Sequence, residues 1–248
     1  MGGELCIVDG RHATLETFLK GPCVPNSVNL SSKGTRAMII TGPNMNGKST
    51  FIRQIALIVL MTHIGSFVPA TSASMTVFDG IYSRMGASDN LAAGKSTFLV
   101  EMQEASEILD RATPRSLVIL DELGRGTATF DGTALAYAAL KNLAQRRCLT
   151  LFVTHYPHLS ELETEILPSK AIQTFHMDYL TSQDEDGDEK ISFLYKITSG
   201  APHRSYGLNV AKLAGIPKNV IRRAAEKSLE FEQSLPLSLR TRTITSNE

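Results

Sequence analysis

Gly42-Pro43-Asn44-Met45-Asn46-Gly47-Lys48-Ser49 reads G-x-x-x-x-G-K-S, the P-loop pattern. Before it stands a short apolar run, Arg36-Ala37-Met38-Ile39-Ile40-Thr41. After it comes Thr50-Phe51-Ile52-Arg53-Gln54-Ile55-Ala56-Leu57, whose pattern is helical. Buried strand, glycine loop, helix is the context in which this pattern carries chemistry. Glycines let successive N–H groups turn inward around an anion, and the following helix adds the positive end of its dipole. Lys48 is placed to reach the β- and γ-phosphates of a nucleoside triphosphate, and the Ser49 hydroxyl to ligate Mg²⁺. The nucleotide-binding set predicted from the loop is Gly42, Pro43, Asn44, Met45, Asn46, Gly47, Lys48, Ser49 and Thr50.

Bulk properties limit the alternatives. The 248 residues suffice for one large α/β domain with small appendages. Lys plus Arg number 25 and Asp plus Glu number 25, so the formal charge is zero. A stand-alone DNA-binding domain carries a basic excess, so nucleic acid is not expected to be gripped by this segment. Cys6, Cys23 and Cys148 are scattered, contain no C-x-x-C, and read as reduced thiols of an intracellular protein. No apolar run reaches membrane-spanning length, and the opening residues lack the regions of a signal peptide.

Outward from the loop, strand-like and helix-like segments alternate. Ser116 to Leu120 and Leu149 to Thr154 read as strands, and Gly132 to Leu143 as an Ala/Leu-rich helix. This alternation predicts a mainly parallel sheet covered by helices. Glu4 to Leu30 reads as strands and loops packed on the sheet edge. Ala171 to Leu180 and Ile191 to Thr198 read as paired strands around an acidic hairpin loop, Ser182 to Lys190. Tyr206 to Ala214 and Pro217 to Phe231 read as two helices, broken by Gly215. The expected division is an ATPase domain over 1–200, a helical element over 201–233 and a disordered tail over 234–248.

The strand Ser116 to Leu120 runs into Asp121-Glu122, a Walker B pattern. Asp121 can hold Mg²⁺, and Glu122 can polarise the attacking water as general base. His155 closes the strand Leu149 to Thr154. Parallel strands gather their C-termini on the ligand-binding edge, which brings His155 near Glu122 and the γ-phosphate. His12, His63, His158, His176 and His203 have no such context. Ser96-Thr97 opens a helix running to about Leu109, and their hydroxyls cap its N-terminus. Spacing alone favours a plain cap there. A free helix end is also an anion site, which suggests use in trans when two ATPase domains meet.

Together these motifs resemble those of the MutS mismatch-repair ATPases. The resemblance rests on Thr41 to Met45 with Gly47-Lys48-Ser49-Thr50, and on Asp121 to Thr127 with Phe130-Asp131-Gly132. Ser96-Thr97-Phe98 with Glu101-Met102, Thr154-His155-Tyr156, and Ser205-Tyr206-Gly207-Leu208 also match. Phe193 to Lys196 and Ser205 to Lys212 look closest to the third eukaryotic branch of that family. The resemblance implies an α/β fold: a P-loop NTPase of ABC-ATPase type, with a mixed, mostly parallel sheet, flanking helices and a C-terminal helical dimerisation element. It implies ATP and Mg²⁺ as ligands and a nuclear location. The implied partners are a second MutS-homologue subunit in a heterodimer, mismatched or looped DNA bound through domains outside this chain, and MutL-type proteins. Ser96 and Thr97 would serve the partner's nucleotide. The chain is then expected to be a fragment or an incomplete gene product.

Two departures from the family pattern stand out. Asn46 replaces a usual Gly, and because Asn readily enters the left-handed region the loop is expected to keep its path. Cys23 falls near where many relatives place an aromatic that stacks on adenine, which leaves Tyr195 to supply the stack. The alternative function is a nucleotide-dependent dimerisation module with little hydrolysis. A transporter or chromosome-organising ABC ATPase is disfavoured because no L-S-G-G-Q signature is present.

Overall fold

The structure, a computed structural model, describes residues 2–86, 97–166, 170–183, 189–200 and 207–234. A six-stranded sheet forms its centre. Its strands are β3 (Ala37–Thr41), β5 (Gly80–Arg84), β6 (Ser116–Asp121), β7 (Leu149–Val153), β8 (Ile172–Gln183) and β9 (Glu189–Ser199). The spatial order is β5-β6-β7-β3-β8-β9. All neighbours are parallel except the β8–β9 hairpin. The sheet is therefore mixed and mostly parallel, as the alternating pattern predicts.

β6 and β7 are buried at every position, which explains why they read as mostly apolar runs without alternation. Each face has its own core. On one face Ile39, Val118, Leu120 and Phe152 pack with helices α2 (Thr97–Arg111) and α3 (Thr129–Gln145). On the other, Met38, Ile40, Leu117, Ile119 and Leu151 pack with Phe51, Ile52, Ile55 and Ile58 of helix α1 (Lys48–His63). The period of two in strand side chains sorts alternate residues between these cores.

The N-terminal segment packs against the edge strand β9, through Pro25 and Asn26, but forms a sheet of its own. β1 (Glu4–Gly10), β2 (Asn26–Ser31) and β4 (Ser72–Met75) form a separate antiparallel sheet in the order β2-β1-β4. Its buried Leu5, Ile7, Val28 and Leu30 share the α1 core, so α1 is covered on both sides. The strands β4 and β5 were not anticipated. Ser72-Ala73-Ser74-Met75 is short and weakly apolar, and Gly80 opens β5, so neither carries a strong strand pattern.

A short helix α4 (Leu162–Glu165) precedes β8, and α5 (Gly207–Leu213) and α6 (Lys218–Ser234) follow β9. Gly215 lies at φ 81°, and the Gly215 and Ile216 N–H groups return to the carbonyls of Lys212 and Ala211. A left-handed glycine thus ends α5, as the sequence suggests. Most of the acidic loop, at 184–188, and nearly all of the tail, at 235–248, lie outside the described residues, as does Ser205-Tyr206. No described helix is long and apolar enough to cross a membrane.

Cys148, just before β7, is fully buried, and burial pushes its thiol up to about 11. An acid whose folded pKa lies above its unfolded value withdraws stability as pH rises. The chain is therefore expected to lose stability between pH 9 and 11 in urea titrations, and Cys148→Ala to reduce that loss. A thiol reagent at pH 8 should leave Cys148 unmodified until the chain unfolds; rapid native-state modification would contradict the packing.

Candidate functional site

Three strand ends meet on one edge of the sheet. In register, Ile40 of β3 lies beside Val153 of β7, and Val153 lies beside Asp121 of β6. Backbone bonds continue the alignment past the strands. The Thr154 N–H donates to Ile40 O at 3.1 Å, and the Glu122 N–H donates to Val153 O at 2.9 Å. The glycine loop, Asp121-Glu122 and Thr154-His155 therefore emerge together. Sequence reasoning placed them on a common edge, and the structure brings them into contact.

The loop between β3 and α1 turns on Gly42 (φ 133°), Met45 (φ 70°) and Gly47 (φ 91°). Asn46 does not take the left-handed conformation; its neighbour Met45 does. This corrects the expectation that Asn46 would be the residue to do so. The Asn46 side chain is fully buried against Gly42, where an added Cβ would lie 2.3 Å from Asn46 Nδ2. Glycine at 42 is thus required by contact as well as by φ. Both amide atoms of Asn46 lack a hydrogen-bond partner.

Lys48, 4% exposed, donates from Nζ to Gly42 O at 2.7 Å and Pro43 O at 2.8 Å. Burial pushes its ammonium down to about 8, against the attraction of Glu122 and Asp121. Its hydrogen bonds go to two loop carbonyls, with the two carboxylates acting on it electrostatically. Asp121 is also buried, and this raises its pKa from the usual value, while the Ser49 hydroxyl bonded to it acts in the other direction. Its Oδ1 is without a partner. A buried carboxylate oxygen with no donor, beside a serine hydroxyl, fits a hard cation. Among the described residues no group of three or more His, Cys, Asp or Glu side chains could hold a metal unaided. Mg²⁺ is commonly held by one or two protein oxygens plus phosphates, so the pair Ser49 and Asp121 fits it.

Glu122 adopts φ 57°, a left-handed conformation that costs a non-glycine residue about 1–3 kcal/mol. That turn sends its carboxylate across the strand ends. Oε1 lies 2.8 Å from His155 Nε2, and Oε2 is paired with Arg125. The bond to His155, opposed by burial and assisted by Arg125, holds the Glu122 carboxyl down at about 2. His155 Nε2 also lies 3.0 Å from Asn44 Oδ1, so the imidazole bridges the glycine loop and Glu122.

Further residues of the recognised motifs, to which the sequence assigned no individual role, hold this arrangement. Gly124 (φ 90°) gives its N–H to Glu101 Oε1 at 2.6 Å and takes the Tyr156 hydroxyl on its carbonyl at 2.8 Å. Glu101, buried on α2, pairs with buried Arg84 at 3.6 Å. An acid at a core position of a helix is a sequence signal for such a clamp. Arg125 stands in the Asp121 to Thr127 motif, but its pairing with Glu122 depends on the tight turn after Glu122. Thr97 begins α2; Ser96 lies outside the described residues. The remaining histidines are structural where described, with His12 Nδ1 accepting the Leu15 N–H and His176 Nδ1 within 2.8 Å of Gly200 O.

A cavity of about 510 Å³ opens beside the loop. Its lining includes Gly47, Lys48, Ser49, Glu122, Cys23 and Tyr195. Cys23 and Tyr195 thus line the same cavity as the glycine loop.

Comparison with known proteins is consistent with this geometry. Residues 38–232 match the family described as MutS domain V. The chain is 51% identical over 230 residues to "DNA mismatch repair protein msh3" of Aspergillus terreus, covering 92% of this chain and 20% of that protein. It is 52% identical over 233 residues to the protein of the same name from Coccidioides immitis, covering 94% and 20%. The chain therefore spans about a fifth of the length of the relatives it matches.

The unpartnered amide makes a prediction. Asn46→Ala removes a buried polar group without requiring a new backbone conformation. Unfolding in urea is expected to show a gain of about 1 kcal/mol. A loss of more than about 1 kcal/mol would mean that the amide has a partner in solution.

Proposed function

The chain belongs to the MutS domain V family, and we propose that it binds and hydrolyses ATP as the nucleotide-driven part of a DNA mismatch-repair protein. The supporting observation is the junction of three strand ends, where His155 touches both Asn44 of the loop and Glu122.

In this reading the loop N–H groups and Lys48 hold the triphosphate. Lys48 exchanges the Gly42 and Pro43 carbonyls for β- and γ-phosphate oxygens. Ser49 and Asp121 hold Mg²⁺, which when bound neutralises phosphate charge. Glu122 accepts a hydrogen bond from water and aims its oxygen at the γ-phosphorus. The new P–O bond forms as the bond to the bridging oxygen breaks, and ADP leaves with that electron pair. Each carboxylate oxygen keeps a further lone pair beside its contact to His155 or Arg125, so the water can be accepted. A carboxylate held at about 2 is a weak base. Glu122 therefore orients the water, and the proton passes to the departing phosphate. His155 reports the γ-phosphate to Glu122 through Asn44.

The wider role extends beyond this span. The N-terminus of α2, with Ser96 and Thr97, serves the nucleotide of a second MutS-homologue subunit. α5 and α6 act as the dimerisation element, and the exposed Val220 and Phe231, on one side of α6, support an apolar docking face. Mismatched or looped DNA is bound by the rest of the full-length protein, in the nucleus, with MutL-type proteins as later partners. The neutral charge of this chain supports DNA contact elsewhere. A second reading, nucleotide binding with little turnover, is favoured by the Asn46 side chain lodged against Gly42.

Single-turnover hydrolysis of ATP, with the chain mixed with a second MutS-family subunit, separates these readings. Glu122→Gln weakens the acceptor that orients the water and should slow the chain's own site by about 10²-fold with ATP affinity retained. An unchanged rate would remove the catalytic role of Glu122. ATP retained by the unsubstituted chain without turnover would establish the binding module instead.

A further inference from the structure

Asn26, the first residue of β2, is 4% exposed and lies deep in the wall of the nucleotide cavity. Its carboxamide spans two strands that belong to different sheets. Nδ2 donates to the carbonyl of Tyr195 at 2.9 Å and reaches Val24 O at 3.4 Å. Oδ1 accepts the N–H of Ile197 at 2.8 Å. One side chain thus takes the place of a peptide unit of a neighbouring strand, pairing with residues two apart on β9.

That stretch of β9 is irregular. Met177 pairs with Ile197 and Tyr179 with Phe193, so three residues of β9 stand opposite one of β8. Tyr195 sits in the middle of the bulge with φ 54°. A bulky aromatic residue rarely takes this conformation, and it persists where surrounding bonds fix it. Bulges also redirect side chains. Here the Tyr195 ring is turned onto the glycine loop; a Cβ added at Gly47 would meet Tyr195 Cδ1 at 3.2 Å. Tyr195 stays 46% exposed and lines the nucleotide cavity, as Cys23 does.

The segment carrying Asn26 is itself anchored. Gln54 of α1 donates from Nε2 to Gly10 O at 2.8 Å and Asn26 O at 3.4 Å. Lys196 Nζ donates to Pro25 O at 2.6 Å. The helix that follows the glycine loop, the start of β2 and the bulge of β9 are therefore joined at one amide.

We propose that Asn26 is a positioning residue for the base half of the nucleotide site, holding Tyr195 in the backbone conformation that presents its ring to a planar purine. It acts through Tyr195. The inference rests on the nucleotide-binding reading above, and the test keeps the two apart by using a ligand without a base.

The experiment measures binding of Mg²⁺–ATP and of Mg²⁺–tripolyphosphate to the chain by calorimetry. Asn26→Asp keeps the size and the acceptor for Ile197 but sets a carboxylate oxygen against the Tyr195 carbonyl. It should weaken ATP by about tenfold and leave tripolyphosphate unchanged. Tyr195→Gly, which tolerates the positive φ but has no ring, should weaken ATP to a similar degree. Adding Asn26→Asp to it should cost nothing further, since both act through one ring. If the Asp variant does not fold, Asn26→Ser carries the same comparisons. Equal losses for both ligands, no loss for ATP, or additive losses in the double variant would overturn the proposal. Failure of the unsubstituted chain to bind tripolyphosphate would instead remove the phosphate cradle, and the proposal with it.

Discussion

The site depends on a register. β7 lies between β6 and β3, and parallel pairing sets Asp121, Val153 and Ile40 side by side. Each strand then turns out of the sheet at nearly the same level, so a glycine loop, a dicarboxylate and a histidine converge without any long side chain crossing the gap. Both faces of these strands are packed in separate cores, which fixes the register. A slip of one residue would exchange the two cores and turn Asp121 away from Ser49.

On that edge the molecule holds polar groups under strain. A buried lysine relies on two loop carbonyls, a buried aspartate leaves one oxygen unpaired, and a buried asparagine leaves both amide atoms unpaired. Glu122 accepts a left-handed backbone to reach His155. Folding alone gives no reason to collect such groups, because each unpaired buried polar atom costs about 1–3 kcal/mol. A polyanion with a divalent cation would satisfy Lys48 and Asp121 together. The same edge is tied to α2 by Glu101 and to the loop after β7 by Tyr156, both through Gly124. Movement of α2 would thus be felt two residues from Glu122.

The parts legible in the sequence were those with local causes. The strand before Gly42, the helix after Ser49 and the acids after Leu120 each announce themselves within a few residues, and the parallel rule then places them on one edge. The weak strands β4 and β5 were hidden because their pairing partners supply the order that their own composition does not. The separate sheet of the N-terminal segment follows from β4, and was missed for the same reason. At the site, the left-handed turn passed to Met45 although Asn is the better candidate by type. The Asn46 amide is buried against Gly42, so contact, not intrinsic preference, decided the local path. Asn26 acts through a distant segment and leaves no local pattern, whereas Glu101 and Arg125 stand within the motifs but owe their partners to the fold.

The most direct measurement is a crystal structure of the chain with Mg²⁺ and a non-hydrolysable ATP analogue. The account predicts Lys48 Nζ moved from the Gly42 and Pro43 carbonyls onto phosphate oxygens, with the cation between Ser49 and Asp121. Lys48 still bound to those carbonyls, with the polyphosphate lying outside the loop, would contradict it.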